Sequence, residues 1–444
     1  MSGLLSEIKK LSARSWLLVV FVCTYLLWSL LAKVSVLAAE FIVLPCSVAL
    51  VAWECAHGKI RRNLYNALLF AMAAVYTLAS VRNGLGTEAA RYALIVPCAA
   101  MLVAGVVPAD ADGPSLRREA IAMSVPLLAL MLPLALLGVI SVFAGRPMHF
   151  LWKADAIGIP SVNHFKDRIR LLAHPNTSGT LCLSGILMAA YWLCNRPRRW
   201  LRVLLGFSIV VFAFAITHCQ SRSGNIALAL VAGAFVFRAI CIRGVGGRWR
   251  FLVGLAAWAL VFGATLWLIN GLYVTDIRLA RLINAKKARP VVSRTVRAGT
   301  FEVFSNGRDG VWKNGIRYLL THPADMLLGM GSGDIMVRIR AAVPDMLKTA
   351  GHLHNAFLET LARGGVLMLA SAVGMLALLV KPCVVCLTAP ETEENRGRHV
   401  FAIIIGAMLS LSLVEVGLFC YPHLCNILFF YAAGRVTHDC APAR

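Results

Sequence analysis

Residues 351–380 read "GHLHNAFLETLARGGVLMLASAVGMLALLV". Two histidines and an asparagine lead into a run in which Glu359 and Arg363 are the only charges and, from residue 366, there are none. About 20 predominantly apolar residues cross a bilayer. The stretch therefore reads as a membrane helix entered through a polar junction, with Asn355, a favoured helix cap, at its start. Whether His-x-His-Asn is only that cap, or the working end of a site, is the question it poses.

Working outward, comparable runs occupy 15–33, 37–55, 64–81, 91–108, 119–143, 177–194, 200–217, 223–240, 251–270, 355–380, 399–418 and 421–437, about twelve spans in all. Composition agrees: 59% of the residues are hydrophobic, mean hydropathy is +0.74 and only 15% are charged, against about a quarter in soluble domains. The expected fold is an all-α polytopic membrane protein. The first fourteen residues, with Lys9, Lys10 and Arg14, precede a full-length span and no A-x-A-like cleavage site, which reads as a retained helix rather than a signal peptide.

Compact basic loops such as "HGKIRRN", "NRPRRW" and "RAICIRGVGGRWR" alternate with poorer ones, which places the N-terminus in the cytoplasm by the Lys/Arg bias. The chain then divides into 1–270 with nine spans and an outer segment at 144–176, an outer loop at 271–354, and the last three spans in 355–444. A loop of that length holds elements of its own. "RDGVWKNGIRYLLTH" has helical periodicity at Val311, Ile316, Leu319 and Leu320, and "AAVPDMLKTA" is also helix-like.

The net charge of +23 exceeds what topology explains. The loop 271–354 carries thirteen Lys and Arg against six Asp and Glu, and 144–176 five against two. Long translocated loops escape the positive-inside rule, so this excess is suited to phosphate-rich lipid or polyanionic glycan. Thirteen scattered cysteines argue against a disulfide scaffold. The CxxC at Cys383–Cys386 has no second pair, and the DxD at Asp110–Asp112 lies in a short loop without Rossmann-like surroundings.

Candidate site residues cluster at outer span ends. Arg222, in "THCQSRSGN", is either a snorkelling arginine or an anion ligand with a planar fork suited to phosphate; Glu40 and Glu415 are candidate partners. Arg308, in "NGRDGVWKNG", shares a helix face with Trp312. "GMGSGD" at 329–334 lacks a preceding strand and a following Lys-Ser/Thr, so a tight turn is expected rather than a nucleotide loop. In "LLAHPNTSG", Pro175 favours a helix start, Asn176 or Thr177 its cap, and His174 is a titratable candidate. His354, at the positive end of a helix macrodipole, is favoured as a neutral imidazole, the form a general base needs. On an extended approach His352 turns to the opposite side, so the pair is a poor metal site. Glu359 could orient a ring, but zinc needs three or four ligands.

Together, "HNAFLETLARGG" entering a span from a long outer loop, "SR" at the end of an earlier span and "RDGVW" before "GMGSG" resemble the O-antigen ligase family. That family lies in a wider group with O-antigen polymerases and protein O-oligosaccharyltransferases. The resemblance covers about residues 165–380 through motifs and the rest through topology. It implies a C-type glycosyltransferase-like fold in the bacterial inner membrane, with the site facing the periplasm. It also implies a metal-independent, cofactor-free, inverting transfer of glycan from undecaprenyl diphosphate (the donor) to a sugar of lipid A–core oligosaccharide (the acceptor). Carried over, His354 is the base and Arg222 and Arg308 hold the diphosphate. Arg170, His174 and Asn355 are further substrate-binding candidates. Membrane lipids are expected partners; nucleic acid is not. A polymerase or a protein O-oligosaccharyltransferase is the alternative. A lipid-linked glycan transporter is more remote, since no clear internal repeat is seen.

Overall fold

The computed structural model describes residues 10–28, 32–109, 113–144, 163–165, 168–171, 175–219, 221–242, 249–283, 308–343, 351–390, 392, 396–414, 418–420 and 422–439. Helices dominate. They are α1 (Ala13–Trp28), α2 (Ala32–Ala38), α3 (Leu44–Ala56), α4 (Leu64–Asn83), α5 (Glu88–Ala99), α6 (Gly113–Ala144), α7 (Pro175–Cys194), α8 (Arg199–Cys219), α9 (Arg222–Ile242) and α10 (Arg250–Ile283). Then come α11 (Arg308–Thr321), α12 (Pro323–Leu328), α13 (Ile335–Ala342), α14 (Ala356–Thr388), α15 (Arg398–Ser412) and α16 (Leu424–Asp439). A π turn at Ala39–Val43 joins α2 to α3, and a second, Ala100–Gly105, ends α5. One antiparallel hairpin, β1 (Asn163–Phe165) and β2 (Arg168–Arg170), pairs Phe165 with Arg168.

The chain is a multi-pass membrane protein. Among the described residues nine helices are long and apolar enough to span, and each of the twelve expected runs coincides with helix. Three are short: α1, α15 and α16 hold 16, 15 and 16 residues, about 24 Å of helix against about 30 Å of hydrocarbon. For α16 the reason is visible. Leu424 to Val436 are buried on every side, so it is the central post of the bundle rather than a lipid-facing span.

Charges inside the bundle are paired, as burial requires. Arg14 bonds Glu54 and donates to the Val103 carbonyl at 2.8 Å, one of the last carbonyls of its helix, which lack intrahelical partners. Arg435 pairs with Glu119. Glu40 pairs with Arg91 at 2.5 Å, not with Arg222 as expected, because both lie on neighbouring helical segments at the same depth. Glu415, Asp110, Asp112 and His174 lie outside the described residues.

Arg238 sets the direction of the helices that frame the site. Near the end of α9, it donates to the carbonyls of Leu387 and Ala389 at the end of α14. The two helices touch and share their far end, so they run parallel and both begin at the same end of the bundle. There α14 is bent: Gly365 has φ 73° and ψ −175°, breaking the helix. The Ala362 and Arg363 carbonyls, freed by the break, accept the N–H groups of Met330 and Gly331 at 2.8 Å each.

"GMGSG" is therefore more than the tight turn expected of it; it is a plug seated in the kink. Gly329 and Gly331 are required there. A Cβ on Gly329 would lie 2.3 Å from the Arg363 carbonyl oxygen, and one on Gly331 would lie 2.6 Å from Ser80 Cα. The other wall is the end of α4, where Asn83 Nδ2 donates to Gly329 O at 3.2 Å and Ser332 N–H to Ser80 Oγ at 3.0 Å.

The helix expected around 308–320 forms as α11. Val311, Gly315, Tyr318 and Leu319 pack inward into a small core with Ile335, Met336, Ile339 and Leu353. Ile316 and Leu320, expected on the same face, are exposed. Residues 344–350 of the expected "AAVPDMLKTA" helix lie outside the described residues.

Candidate active site

The polar junction is built from four consecutive residues, each held differently. Leu353 is fully buried and packs against Gly315 of α11, where a Cβ would come within 2.7 Å of its Cδ2. Asn355 is the N-cap: its Oδ1 accepts from Phe357 and Leu358 N–H at 3.0 Å, and its Nδ2 donates to Leu413 O at 3.1 Å. Between these anchors His354 has φ 53°, a left-handed conformation that costs a non-glycine residue about 1–3 kcal/mol and persists only when its surroundings impose it.

The left-handed turn reverses one expectation. His352 does not face away from His354. The ring centroids are 3.9 Å apart at 52°, and His354 N–H donates to His352 Nδ1 at 3.3 Å. The strict alternation of an extended chain fails because one residue leaves the β region. As an acceptor at Nδ1, a neutral His352 carries its proton on Nε2.

Glu359 does not orient a ring. Its Oε2 accepts the Leu353 N–H at 2.9 Å, and its Oε1 accepts Arg363 Nε at 2.6 Å. Arg363 Nη1 in turn donates to the carbonyls of Gly333 at 2.9 Å and Gly331 at 3.2 Å. One buried ion pair thus ties the histidine segment, the first turns of α14 and the glycine plug together. Sequence reading gave Arg363 no role; the available signal was the Glu–Arg spacing of four residues on an otherwise apolar helix.

Arg222 is the first residue of α9, half-buried. Ser221 caps the helix, its Oγ accepting Gly224 N–H at 3.2 Å. The second turn of α7 packs beside it, since a Cβ on Gly179 would lie 3.1 Å from Ser221 Cβ. Ser178 Oγ accepts Leu171 N–H at 2.9 Å, which brings the end of β2 to the same corner. Arg170, described by its backbone alone, stands in β2 opposite Asn163. Asn176 lies within the first turn of α7 rather than at its cap, because the helix begins at Pro175. His218, which the sequence did not single out, is buried four residues before Arg222. It stacks on Phe214 at 4.0 Å, with Nδ1 2.9 Å from the Phe214 carbonyl.

Arg308 is half-buried at the start of α11. It lies about 10 Å along the axis from Gly315, where Leu353 docks. Three arginine- or histidine-bearing helix starts, at Arg222, Arg308 and Asn355, therefore open at one end of the bundle or on the small domain seated there. Helix starts offer unpaired N–H groups and a positive field to anions. Among the described residues no group of three or more His, Cys, Asp or Glu side chains stands at metal-binding spacing.

No curated protein and no solved structure is similar enough to match. Residues 207–373 match the family model described as O-antigen ligase. That segment holds Arg222, Arg308 and the whole "HLHN" junction, together with the plug and the kinked start of α14. Over residues 207–373 the chain is therefore similar to the O-antigen ligase family.

Proposed function

We propose that the protein is a membrane glycosyltransferase that moves O-antigen from undecaprenyl diphosphate to a sugar hydroxyl of lipid A–core at the periplasmic face of the bacterial inner membrane. The observation that carries this reading is the family match over 207–373, which contains both the histidine junction and the two arginines. The Lys/Arg bias of the loops, read with the parallel course of α9 and α14, supports a periplasmic position for that end.

In this reading His354 accepts the proton of the acceptor hydroxyl as its oxygen bonds to the anomeric carbon. The bond from that carbon to the diphosphate breaks, and the diphosphate leaves with the electron pair. Arg222 and Arg308 meet the charge that grows there, the electrostatic contribution that is usually largest. The donor is activated already, so the step consumes no nucleotide, and direct displacement inverts the anomeric centre. Arg170, His174 and Asn355 belong to the surrounding substrate-binding shell; in Asn355 that role would be added to a cap.

Reconstitution tests this directly. Purified protein with undecaprenyl-diphosphate glycan and lipid A–core, in chelator and without nucleotide, should yield core-linked glycan. No product under those conditions sinks the proposal. Product formed only when a second lipid-linked glycan or a protein replaces lipid A–core would identify a polymerase or a protein O-oligosaccharyltransferase instead. Arg222→Lys and Arg308→Lys retain charge but lose the fork. Each should lower kcat by about tenfold or more, the loss of one charge-assisted hydrogen bond of about 1.5 kcal/mol. Unchanged rates would show that neither arginine grips the diphosphate.

A further inference from the structure

We propose that α11–α13 form a membrane-resting platform, with an apolar ridge set into the phospholipid leaflet beside α4 and a basic edge on its headgroups. Ile316 and Leu320 of α11, Leu327 and Leu328 of α12 and Val337 of α13 are 49–67% exposed. A small domain in water rarely leaves so many large apolar side chains exposed without a partner. Around α11 the apolar pair and the basic pair Lys313 and Arg317 occupy neighbouring edges of one exposed face, with Asp309 in the first turn of the same side. That is the arrangement of an interfacial helix whose basic side chains reach the headgroups while the apolar ones enter the acyl boundary.

The bilayer, rather than another protein, is the occupant because the ridge continues a lipid-facing surface. Gly329, directly after Leu328, and Ser332, three residues further on, bond to Asn83 and Ser80 at the end of α4. Arg338, next to Val337, donates to Asn83 Oδ1 at 2.7 Å. The same end of α4, a candidate span, exposes Leu78 and Val81. On the other side the Leu327 carbonyl abuts Gly365. Beyond that kink α14 changes from a mostly buried turn to the exposed Val366 and Leu367. The ridge therefore sits at the depth where two spans begin to face lipid. Tyr318 O–H donates to Asp325 at 2.7 Å and joins α11 to α12.

Photocrosslinking in nanodiscs tests this independently of any transferase activity. p-Benzoylphenylalanine is placed at Leu320, or at Thr321, which is exposed one residue further on and about 100° around the helix. The full-length protein is held in phosphatidylcholine nanodiscs, with or without phosphatidylglycerol, and adducts are read by mass. Position 320 should give phospholipid adducts and position 321 none. With mixed lipids, phosphatidylglycerol should be enriched in those adducts above its bilayer share. In the K313E/R317E variant it should fall back to that share. No lipid adduct at 320, equal adducts at 320 and 321, or a protein adduct at 320 would overturn the platform. An unenriched anionic share in the parent would overturn its headgroup contact.

Discussion

Replacing His354 by asparagine is expected to lower glycan transfer by about 10²–10⁴-fold, the usual contribution of a general base, while leaving the fold intact. Asparagine is the informative replacement because His354 is left-handed, with φ 53°, and asparagine enters that region more readily than other side chains with a Cβ. Alanine there would combine loss of the base with backbone strain, and a lost rate would be ambiguous. The backbone N–H that meets His352 Nδ1 survives in the asparagine variant, as do the Leu353 and Asn355 anchors. Initial rates on reconstituted substrates, beside a thermal unfolding curve that matches the parent, give the result. Parental rates would remove His354 from the chemistry.

Glu359→Ala is expected to cost about 3–5 kcal/mol of stability, because it strands a buried guanidinium. Glu359 and Arg363 side chains are 1% and 5% exposed, so solvent cannot take over the charge. The same substitution releases the Leu353 N–H, which stands between the two histidines, so transfer should fail in whatever fraction remains folded. The double variant Glu359→Ala/Arg363→Met should recover part of the lost stability, since the orphaned charge goes with it. The measurement is the thermal midpoint in detergent micelles for the three proteins. A double variant no more stable than Glu359→Ala would mean that the carboxylate is not what compensates Arg363.

Much of the helical layout was legible beforehand, for a physical reason. In lipid every backbone group must be bonded within its own segment, so a long apolar run has few choices besides helix. The cap at Asn355 was legible because a cap is made by the side chain of one residue and the N–H groups of the next two or three. The Pro175 start was equally local. Ile316 and Leu320 were misplaced because helical periodicity identifies an apolar stripe without saying whether protein or lipid covers it. His352 was misplaced because alternation holds only while every residue stays extended, and His354 does not.

What the sequence determined by itself is therefore the apolar helical runs, the cap at Asn355 and the chemical character of the helix ends: histidine and arginine where helices meet loops. The tertiary structure alone decided which of those helices begin at the same end of the bundle. Arg238 bonding the far end of α14, the plug of 329–333 seated in the Gly365 kink, and Glu359 reaching back to Leu353 across a left-handed turn are all pairings between groups of different local character. Each forms only once packed helices bring its partners to one depth, and no periodicity in the chain encodes that depth.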